Sequence, residues 1–335
     1  MRHSELQGTH FQMGRNWGEE IARFGINLLE RVPFPVGEEQ RAFARACRPL
    51  YGKHFPLVLE EIQGLAKGQN CPAEELEAVL FSMYALVPQS HCTCFAVSNQ
   101  KGVFLGRNSD FWASLAQNNH NVIYRFSDGG HAFTANTTAF VEMEDGVNEK
   151  GLAVGMTAVA GTAVRPGFNA GMLVRYVLEH CEKVAEALAA LKKLPTASAQ
   201  TLVLADKTGD MALVELAPQT MAVGRPGPAK PFVGAVNRFS LPAMAPFQRR
   251  EVDDWRSAER WDTMTKALTA EGETMTARAA TALLAGERGF LCQYDRSEGK
   301  DTVWSVVYAL TEGSILRAEG NPGRIPFQRD DRFSF

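Results

Sequence analysis

Three side chains with complementary chemistry lie close together in the sequence, at positions 92, 107 and 110. Cys92 opens one apolar run with strand character, and Arg107 and Asp110 close the next one. The turn residues between the runs, at 99–102, predict a β-hairpin that would bring the three side chains together. A cysteine thiolate attacks acyl carbons well, and a nearby guanidinium favours the thiolate over the thiol. The spacing therefore indicates acyl transfer at Cys92.

A cysteine nucleophile also needs a base, and the sequence offers no obvious one. The chain has seven histidines. None lies in a setting that indicates a partner for Cys92, so a papain-like Cys and His pair has little support. The α-amine of an N-terminal cysteine can act as its own base, and its ordinary pKa of about 8 is close to neutrality. We therefore predict that the bond between His91 and Cys92 is cut and that Cys92 becomes a new N-terminus.

Composition excludes several other classes of protein. The 335 residues are 45% apolar and 22% charged, with a formal net charge of −3, which is typical of a soluble globular protein. Lys and Arg are scattered and outnumbered by Asp and Glu, so we expect no nucleic-acid partner. No apolar run reaches about 18 residues, and the first residues lack the pattern of a secretion signal. These features predict a cytoplasmic protein without a membrane segment.

Cysteine spacing and glycine-containing turns bear on metals and cofactors. The six cysteines show neither a disulfide framework nor the paired spacing of a zinc site, so we expect free thiols and no metal. No glycine-containing turn has the spacing of a phosphate-binding loop. We therefore predict no cofactor, and a small-molecule amide or acyl compound as the substrate.

The hydrophobic periodicity changes near Cys92. Residues 1 to about 90 indicate helices, the last of which is expected to end near Pro88. Downstream, short runs separated by Gly, Asn and Asp predict strands, at 94–98, 103–107, 122–126, 132–135, 139–143, 152–157, 200–205, 211–217, 232–236, 302–310 and 315–318. A turn is expected at 145–151, and further helices at 171–191, 257–268 and 276–284. One domain with helices outside packed sheets is the simplest architecture.

Several motifs, taken in order, resemble a known family. They are Cys92-Thr93-x-Phe95, Gly106-Arg107-Asn108-x-Asp110-Phe111 and Asn148-Glu149-Lys150-Gly151-Leu152, with Gly8, Gly14, Gly18 and Glu19 before them and Thr302-Val303-x-Ser305 and Gly320-Asn321-Pro322 after them. The chain is similar to the N-terminal-nucleophile amide hydrolases. These include the choloylglycine hydrolases, the penicillin V acylases and the acyl-coenzyme A:6-aminopenicillanic acid acyltransferases. The 91 residues before Cys92 resemble the acyltransferase branch.

The resemblance implies an α+β fold of four layers, αββα, with two packed and mainly antiparallel sheets between helical layers. Residues 1–91 would form a helical propeptide, or small subunit after cleavage, and residues 92–335 the catalytic core of one structural domain. The implied activity is that of an autoprocessed cysteine amidohydrolase or acyltransferase. It would act on a linear, non-peptide C–N amide through an acyl-enzyme on Cys92. The cleaved chains would stay associated, and a homo-oligomer is compatible with the family.

The resemblance assigns the central roles to three residues. Cys92 would supply the attacking sulfur and, once freed, the α-amine base. Arg107 and Asp110 match the pair beside the nucleophile, where a guanidinium favours the thiolate and a carboxylate can hold or orient the amine. Without the motif, Arg107 and Asp110 could instead form a plain salt bridge at the end of a strand.

Three more residues match the family's functional positions. Asn237 matches an asparagine that helps to form the oxyanion hole, a role that suits a neutral amide donor. Asn148 matches another active-site asparagine with a substrate-positioning or oxyanion role, and Arg260 matches a structural or catalytic arginine. The structural alternatives are a turn residue at Asn148, a turn cap at Asn237 and a solvated helix face at Arg260.

Two positions depart from the family pattern. The acyltransferases have glycine before the nucleophile, whereas this chain has His91, a bulkier residue that would either slow or assist the intramolecular N-to-S acyl shift. The family's cysteine after the Gly-Asn-Pro turn is replaced by Gly323, which changes little in the mechanism. His91 keeps a second hypothesis open, in which the chain is an uncleaved or non-catalytic member that binds an acyl ligand or a partner.

Overall fold

The residue at the centre of the predicted chemistry, Cys92, lies at the start of a strand in one of two β-sheets. The computed structural model describes residues 1–86, 91–228, 230–249 and 252–335. Pro88, the expected end of the last N-terminal helix, lies outside the described residues. The described strands, in chain order, are β1 (Arg2–Gly8), β2 (His91–Asn99), β3 (Gly102–Trp112), β4 (His120–Phe126), β5 (Phe133–Thr137), β6 (Asp145–Asn148), β7 (Leu152–Ala158), β8 (Gln200–Asp206), β9 (Met211–Ala217), β10 (Thr220–Gly224), β11 (Phe232–Ala235), β12 (Lys300–Ala309), β13 (Ser314–Ala318) and β14 (Gln328–Arg329).

Helices lie on the outer faces of both sheets. They are α1 (His10–Arg23), α2 (Glu38–His54), α3 (Pro56–Gln69), α4 (Ala73–Ser82), α5 (Ala170–His180), α6 (Val184–Leu191), α7 (Ser257–Glu271) and α8 (Ala277–Leu284). One apolar core joins the first six helices to the larger sheet, and another joins α7 and α8 to the smaller sheet. A third core, with Ala96 and Leu105 facing Ala153 and Val203, lies between the sheets. The predicted αββα arrangement of four layers is confirmed.

The two sheets are built almost entirely from antiparallel pairs. The larger sheet has eight strands in the order β1-β4-β5-β6-β7-β8-β9-β10, and the smaller has six in the order β11-β2-β3-β12-β13-β14. Only the β1–β4 pair among the described strands is parallel. Because β1 belongs to the N-terminal segment and β4 to the remainder, the larger sheet contains strands from both sides of Cys92.

The predicted hairpin around Cys92 is confirmed as β2 and β3. Cys92 lies opposite Ser109, and Cys94 lies opposite Arg107. Side chains two residues apart on a strand share a face, so Cys92 is a diagonal neighbour of Arg107 across the hairpin. The hairpin thus brings the sulfur and the guanidinium together on the side that faces the larger sheet.

Glycines on α1 and α3 allow these two helices to pack closely. A Cβ atom on Gly14 of α1 would lie 2.0 Å from the Glu61 carbonyl oxygen, and one on Gly64 of α3 would lie 2.1 Å from the Phe11 carbonyl oxygen. Both distances are far shorter than any van der Waals contact, so the helices could not approach this closely with larger residues. This packing fixes the position of Glu61, whose carboxylate forms a buried ion pair with Arg175.

Several sequence-based assignments differ from the structure, each for a physical reason. Strand β1 replaces part of the predicted helical segment, and it escaped detection because only Leu6 in it is buried. The predicted strand at 139–143 is a loop that contains Phe140 at φ +56°. Strand β6 occupies the first part of the predicted turn at 145–151, and the hairpin turn between β6 and β7 is confined to 149–151. Gly146 in β6 marks close packing and not a turn, since a Cβ there would lie 2.6 Å from the Thr134 carbonyl oxygen.

The predicted helix at 171–191 is two helices. Its apolar face continues through α5 and α6, but the chain leaves the helical conformation between them, where Cys181 has φ −120° and ψ 141°. The interruption exposes the last carbonyl groups of α5, which need other partners. Asn148 provides two of these hydrogen bonds, as described below.

Within the described ranges, the chain has neither a membrane-spanning helix nor a metal-binding cluster. None of the helices there combines the length and the apolar character that crossing a bilayer requires. No three His, Cys, Asp or Glu side chains of that part of the chain are grouped in a way that could hold a metal ion. No described residue is therefore assigned to a metal.

Candidate active site

The Cys92 side chain is fully buried and contacts a charged group. Its Sγ accepts a hydrogen bond of 2.9 Å from Arg107 Nη2. A cation at hydrogen-bonding distance favours the thiolate, which is the reactive form of cysteine. The first element of the predicted chemistry, a cysteine beside an arginine, is thus present in the geometry.

Arg107 is held rigidly by three other acceptors. Its Nε donates to the Met156 carbonyl oxygen at 3.0 Å, Nη1 to Asp145 at 2.7 Å and Nη2 to Glu144 at 3.0 Å. Burial disfavours the charged guanidinium, but the nearby Cys92, Asp145 and Glu144 raise the pKa of Arg107 well above its usual value. The group therefore stays charged and points one N–H at the sulfur.

Asp145 was not among the predicted site residues. Besides Arg107, its carboxylate accepts hydrogen bonds from Asn136 Nδ2 at 2.6 Å, Tyr308 OH at 2.7 Å and Trp304 Nε1 at 2.9 Å. Four donors satisfy both oxygens of a fully buried carboxylate, as a buried charge requires. Asp145 therefore anchors Arg107 to both sheets, because Asn136 lies in the larger sheet and Tyr308 in the smaller one.

Glu144, next to Asp145, was also missed. It is buried, and its carboxylate accepts from Arg107, from Ser109 Oγ at 3.1 Å, from Tyr84 OH at 3.1 Å and from Thr138 Oγ1 at 2.9 Å. The Arg107 guanidinium is therefore balanced by two carboxylates. One of them, Glu144, also connects to side chains that line a cavity.

Asn237 contacts the backbone of Cys92. Its Oδ1 accepts from the Cys92 backbone N–H at 2.9 Å and from Arg260 Nη2 at 2.7 Å, while its Nδ2 donates to the Ala158 carbonyl oxygen at 3.0 Å. The amide orientation follows from these partners. The oxygen of Asn237, and not the predicted oxyanion-binding nitrogen, thus faces the atom that would become the α-amine after cleavage.

Arg260 is fully buried beneath Cys92, which rules out the solvated helix face considered above. Its Nη1 donates to the Cys92 carbonyl oxygen at 2.6 Å and to Thr93 Oγ1 at 3.1 Å. Two further donor groups bind the carbonyl oxygens of Asp254 and Trp255, at 2.8 and 3.0 Å. Arg260 therefore fixes the backbone at the proposed cleavage site.

The loop before α7 has an uncommon backbone conformation. Trp255 has φ +51° and Arg256 has φ +60°, a region that residues other than glycine rarely occupy. In this conformation the carbonyl oxygens of Asp254 and Trp255 face Arg260. The spacing of side chains in the sequence does not reveal such a loop, so the burial of Arg260 was not predictable.

Asp110 lies opposite His91 in the hairpin but contacts other residues. Its Oδ1 accepts from Thr302 Oγ1 at 2.6 Å and its Oδ2 from Tyr294 OH at 2.9 Å, and Arg260 Nη1 lies 3.8 Å away. The suggested plain salt bridge with Arg107 is wrong, because Arg107 pairs with Glu144 and Asp145 instead. Burial raises the pKa of Asp110 to about 6, although Arg260 and the two hydroxyl donors oppose the shift.

This pKa predicts a pH-dependent stability. In the folded state Asp110 keeps its proton up to about pH 6, whereas its ordinary pKa is 3.8. The folded protein therefore binds this proton more tightly, and the contribution of Asp110 to the free energy of unfolding falls by about 3 kcal/mol as pH rises from about 4 to 6. Asp110→Asn removes this fall, so the variant should gain that amount relative to its parent across the window. Urea unfolding at several pH values, in a Cys92→Ala background that lacks the predicted nucleophile, measures the difference. A difference that does not change with pH would contradict the prediction.

His91 packs on an aromatic side chain. Its ring stacks on Trp255 with centroids 4.3 Å apart and an interplanar angle of 12°. Burial, followed by the nearby Arg260, lowers the pKa of His91 to about 3. The imidazole is therefore neutral at physiological pH, and its position is set by the loop that also holds Arg260.

The structure places Asn148 outside the cluster around Cys92. Its Nδ2 donates to the carbonyl oxygens of Leu178 and Cys181, at 2.9 and 2.7 Å, and its Oδ1 accepts from the backbone N–H groups of Lys150 and Leu152. These four bonds tie the turn before β7 to the end of α5. The geometry therefore supports the turn interpretation of Asn148 and lends no support to a substrate-positioning or oxyanion role.

A mainly apolar cavity of about 160 Å³ lies next to Glu144. Its described lining consists of Arg2, Trp17, Ile21, Ile26, Leu28, Arg31, Val32, Pro33, Phe34, Met83, Tyr84, Phe111, Leu115, Gln117, Asn118, His120, Thr137, Thr138 and Phe140. Two of these residues, Tyr84 and Thr138, donate hydrogen bonds to Glu144, which in turn binds Arg107. Two side chains, Glu144 and Arg107, thus link the cavity wall to the sulfur of Cys92.

Known proteins share both sequence and fold with this chain. Residues 97–324 match the family model described as acyl-coenzyme A:6-aminopenicillanic acid acyl-transferase. This range includes Arg107, Asp110, Asn237 and Arg260 but begins after Cys92. No curated protein sequence gives a match.

Two solved structures show the same fold. The Caenorhabditis elegans ortholog of N-acylethanolamine-hydrolyzing acid amidase is 16% identical, with a TM-score of 0.50 over 66% of this chain and 93% of that chain. A variant of the conjugated bile acid hydrolase from Clostridium perfringens is 13% identical, with a TM-score of 0.51 over 73% of this chain and 97% of that one. At such identities the likeness concerns the fold alone.

Proposed function

Because the chain belongs to the acyl-coenzyme A:6-aminopenicillanic acid acyl-transferase family, we propose that it is an autoprocessed cysteine amidohydrolase or acyltransferase with Cys92 as its nucleophile. The substrate is a linear amide of small-molecule size. Cleavage before Cys92 converts a precursor into the active form, and residues 1–91 remain bound to residues 92–335.

One observation carries the proposal. Three buried side chains converge on three atoms of a single residue, since Arg107 contacts the sulfur of Cys92, Asn237 its backbone nitrogen and Arg260 its carbonyl oxygen. A structural thiol in an apolar core needs none of these contacts. A residue whose thiol and backbone nitrogen both react needs all three, because catalysis depends on prior orientation of the reacting atoms.

This arrangement supports self-cleavage by the following steps. The Cys92 thiol loses its proton, the sulfur attacks the His91 carbonyl carbon, and a C–S bond forms. The C–N bond between His91 and Cys92 then breaks, and the departing nitrogen takes up the proton to become the α-amine. Water hydrolyses the resulting thioester, which leaves a carboxylate on His91 and a free thiol on Cys92. Asn237 Oδ1 is already placed to accept a hydrogen bond from the new amine.

The same groups support turnover of an external amide. The α-amine takes the thiol proton, the sulfur attacks the substrate carbonyl carbon, and the proton passes to the leaving amine. This step gives an acyl-enzyme and a free amine. Water then releases a carboxylic acid in a hydrolase, whereas an acceptor amine takes the acyl group in a transferase. Arg107 favours the thiolate at the start of each cycle and at its end.

Intact-mass analysis and N-terminal determination test the proposal. We expect two chains, one that ends at His91 and one that starts at Cys92, and only the full-length chain for Cys92→Ala. Cys94→Ala is a matched control, because Cys94 is equally buried on the same strand but receives no hydrogen bond from Arg107. The purified protein is then given a series of N-acyl amines. Full amidase activity of a protein that remains uncut would contradict the proposed requirement for cleavage. An uncut protein with no activity that still binds an acyl ligand would favour the non-catalytic alternative.

A further inference from the structure

The cavity beside Glu144 has two arginines in its wall that lack a partner among the described residues. Arg2 lies in β1, and Arg31 lies in the short helical turn Leu29–Arg31. Within the described ranges, neither guanidinium has a hydrogen bond, an ion pair or an aromatic ring against it. Other exposed arginines of the same region do have partners, for example Arg125, which binds Glu5 at 2.7 Å.

The other residues of the described lining do not neutralise the charges of Arg2 and Arg31. Among the described residues that line the cavity, none is Asp or Glu, and most are aliphatic or aromatic. His120, which also lines the cavity, has its pKa lowered to about 4, first by burial and then by Arg2 and other cations nearby. The cavity therefore combines an apolar interior with positive charge that no carboxylate of the described lining compensates.

Sheet geometry separates the charged wall from the end near Glu144. Arg2 lies opposite His120 in the β1–β4 pair, and His120 lies opposite Thr137 in the β4–β5 pair. Neighbouring strands are about 4.8 Å apart, so about 10 Å separates Arg2 from Thr137. Thr138, the next residue, donates to Glu144. An elongated ligand could thus have one end near Arg2 and the other near Thr138.

We infer that this cavity binds an amphipathic anion, whose apolar chain extends towards Tyr84 and Thr138 and whose anionic head is held by Arg2 and Arg31. Guanidinium groups bind carboxylates and phosphates through paired hydrogen bonds, so either head group fits. The apolar chain of a bound ligand covers the aromatic and aliphatic side chains of the lining and so removes them from water. Because Tyr84 and Thr138 hold Glu144, which holds Arg107, the ligand contacts the network that supports Cys92. The inference does not depend on Cys92 being a nucleophile.

Direct binding of three ligands that share one chain tests the inference. Octanoate, octyl phosphate and octanol are titrated into the intact protein by calorimetry at low ionic strength. We expect each anion to bind about fivefold or more tightly than the alcohol, a modest factor because both arginines are exposed. The preference should shrink in high salt, which screens exposed charges. A preference for one anion over the other identifies the head group.

Charge-reversal variants provide the decisive comparison. Arg2→Glu combined with Arg31→Glu should abolish the preference for anions and leave octanol binding within about twofold. Arg23→Glu is the matched control, because Arg23 is an exposed arginine of the same segment that does not line the cavity. If octanol binds as tightly as the anions, or if the double variant keeps the preference, the inference is wrong. An amidase assay on the same proteins is separate, so loss of the proposed function would leave this result interpretable.

Discussion

Replacing Arg107 with methionine is expected to slow both self-cleavage and amide turnover by about 100- to 1000-fold, the loss typical when a preorganised donor to a reacting atom is removed. Arg107 Nη2 lies 2.9 Å from the Cys92 sulfur. Without it the buried thiol loses the guanidinium that donates a hydrogen bond to the sulfur and favours the thiolate, so the nucleophile is present in a smaller fraction of molecules. The rates are measured as the time course of chain cleavage by intact mass and as the reaction of Cys92 with an acyl probe.

The same substitution also threatens the fold. Methionine leaves Glu144 and Asp145 buried without their cation, and removal of one partner from a buried ion pair costs about 3–5 kcal/mol. A slow variant could therefore simply be poorly folded. Unfolding by urea separates these effects. If nearly all of the variant is folded and Cys92 still reacts slowly, the loss of rate is due to the missing guanidinium and not to misfolding.

A neutralised variant provides the control. Arg107→Met combined with Glu144→Gln and Asp145→Asn removes all three charges and keeps the side-chain sizes similar. We expect stability to recover substantially, since neutral amides are less costly to bury than unpaired carboxylates, while Cys92 stays slow to react. Recovery of the reaction rate in this variant would show that Arg107 acts only as a structural cation.

The contrast between Arg107 and its two carboxylates shows what sequence could predict about this site. Cys92 and Arg107 lie on the two strands of one hairpin, where local pattern determines register, so their proximity followed from spacing. Glu144 and Asp145 precede Gly146 in a stretch whose composition is typical of a turn. Their role depends on a strand that packs against Thr134 and Leu178, and such close packing leaves no local signal in the sequence.

Asn237 and Arg260 were predicted as site residues from family motifs, but their geometry was not. The amide of Asn237 is oriented by Ala158 and Arg260, which are distant in sequence. Arg260 lies at the bottom of the site because the preceding loop turns its carbonyl groups inward at Trp255 and Arg256. The periodicities predicted helices outside packed sheets, and the family resemblance implied the four layers, whereas hydrogen bonds between distant elements were not predictable.

Replacing Arg175 with methionine is expected to destabilise the protein by about 3–5 kcal/mol and to weaken the association of residues 1–91 with the remainder after cleavage. Arg175 is fully buried in α5 and donates to Glu61 at 2.7 Å and to Glu179 at 2.9 Å. Its guanidinium also lies over the Tyr124 ring, 4.1 Å from the centroid. Methionine would leave the Glu61 carboxylate buried beside Tyr124 alone.

The network crosses the proposed cleavage point twice. Glu61 belongs to the N-terminal segment and Arg175 to the core, and in the other direction His10 binds Glu179 and Asp128, each at 2.9 Å. Two buried ionic contacts between the segments oppose dissociation. If one segment dissociates, its charged side chains become exposed or their partners stay buried without a counter-charge. This is the physical reason to expect that the cleaved chains stay together.

A matched control lies in the same interface. Arg125 in β4 binds Glu5 in β1 at 2.7 Å, with side chains 42% and 55% exposed. Because exposed ion pairs contribute about 0–1 kcal/mol, Arg125→Met should change stability little and leave the chains associated. Urea unfolding gives the free energies, and native mass spectrometry of the cleaved protein gives the fraction of paired chains. Equal effects of the two substitutions would mean that the buried network does not hold the segments together, and that the apolar contacts of α1 and α3 do so instead.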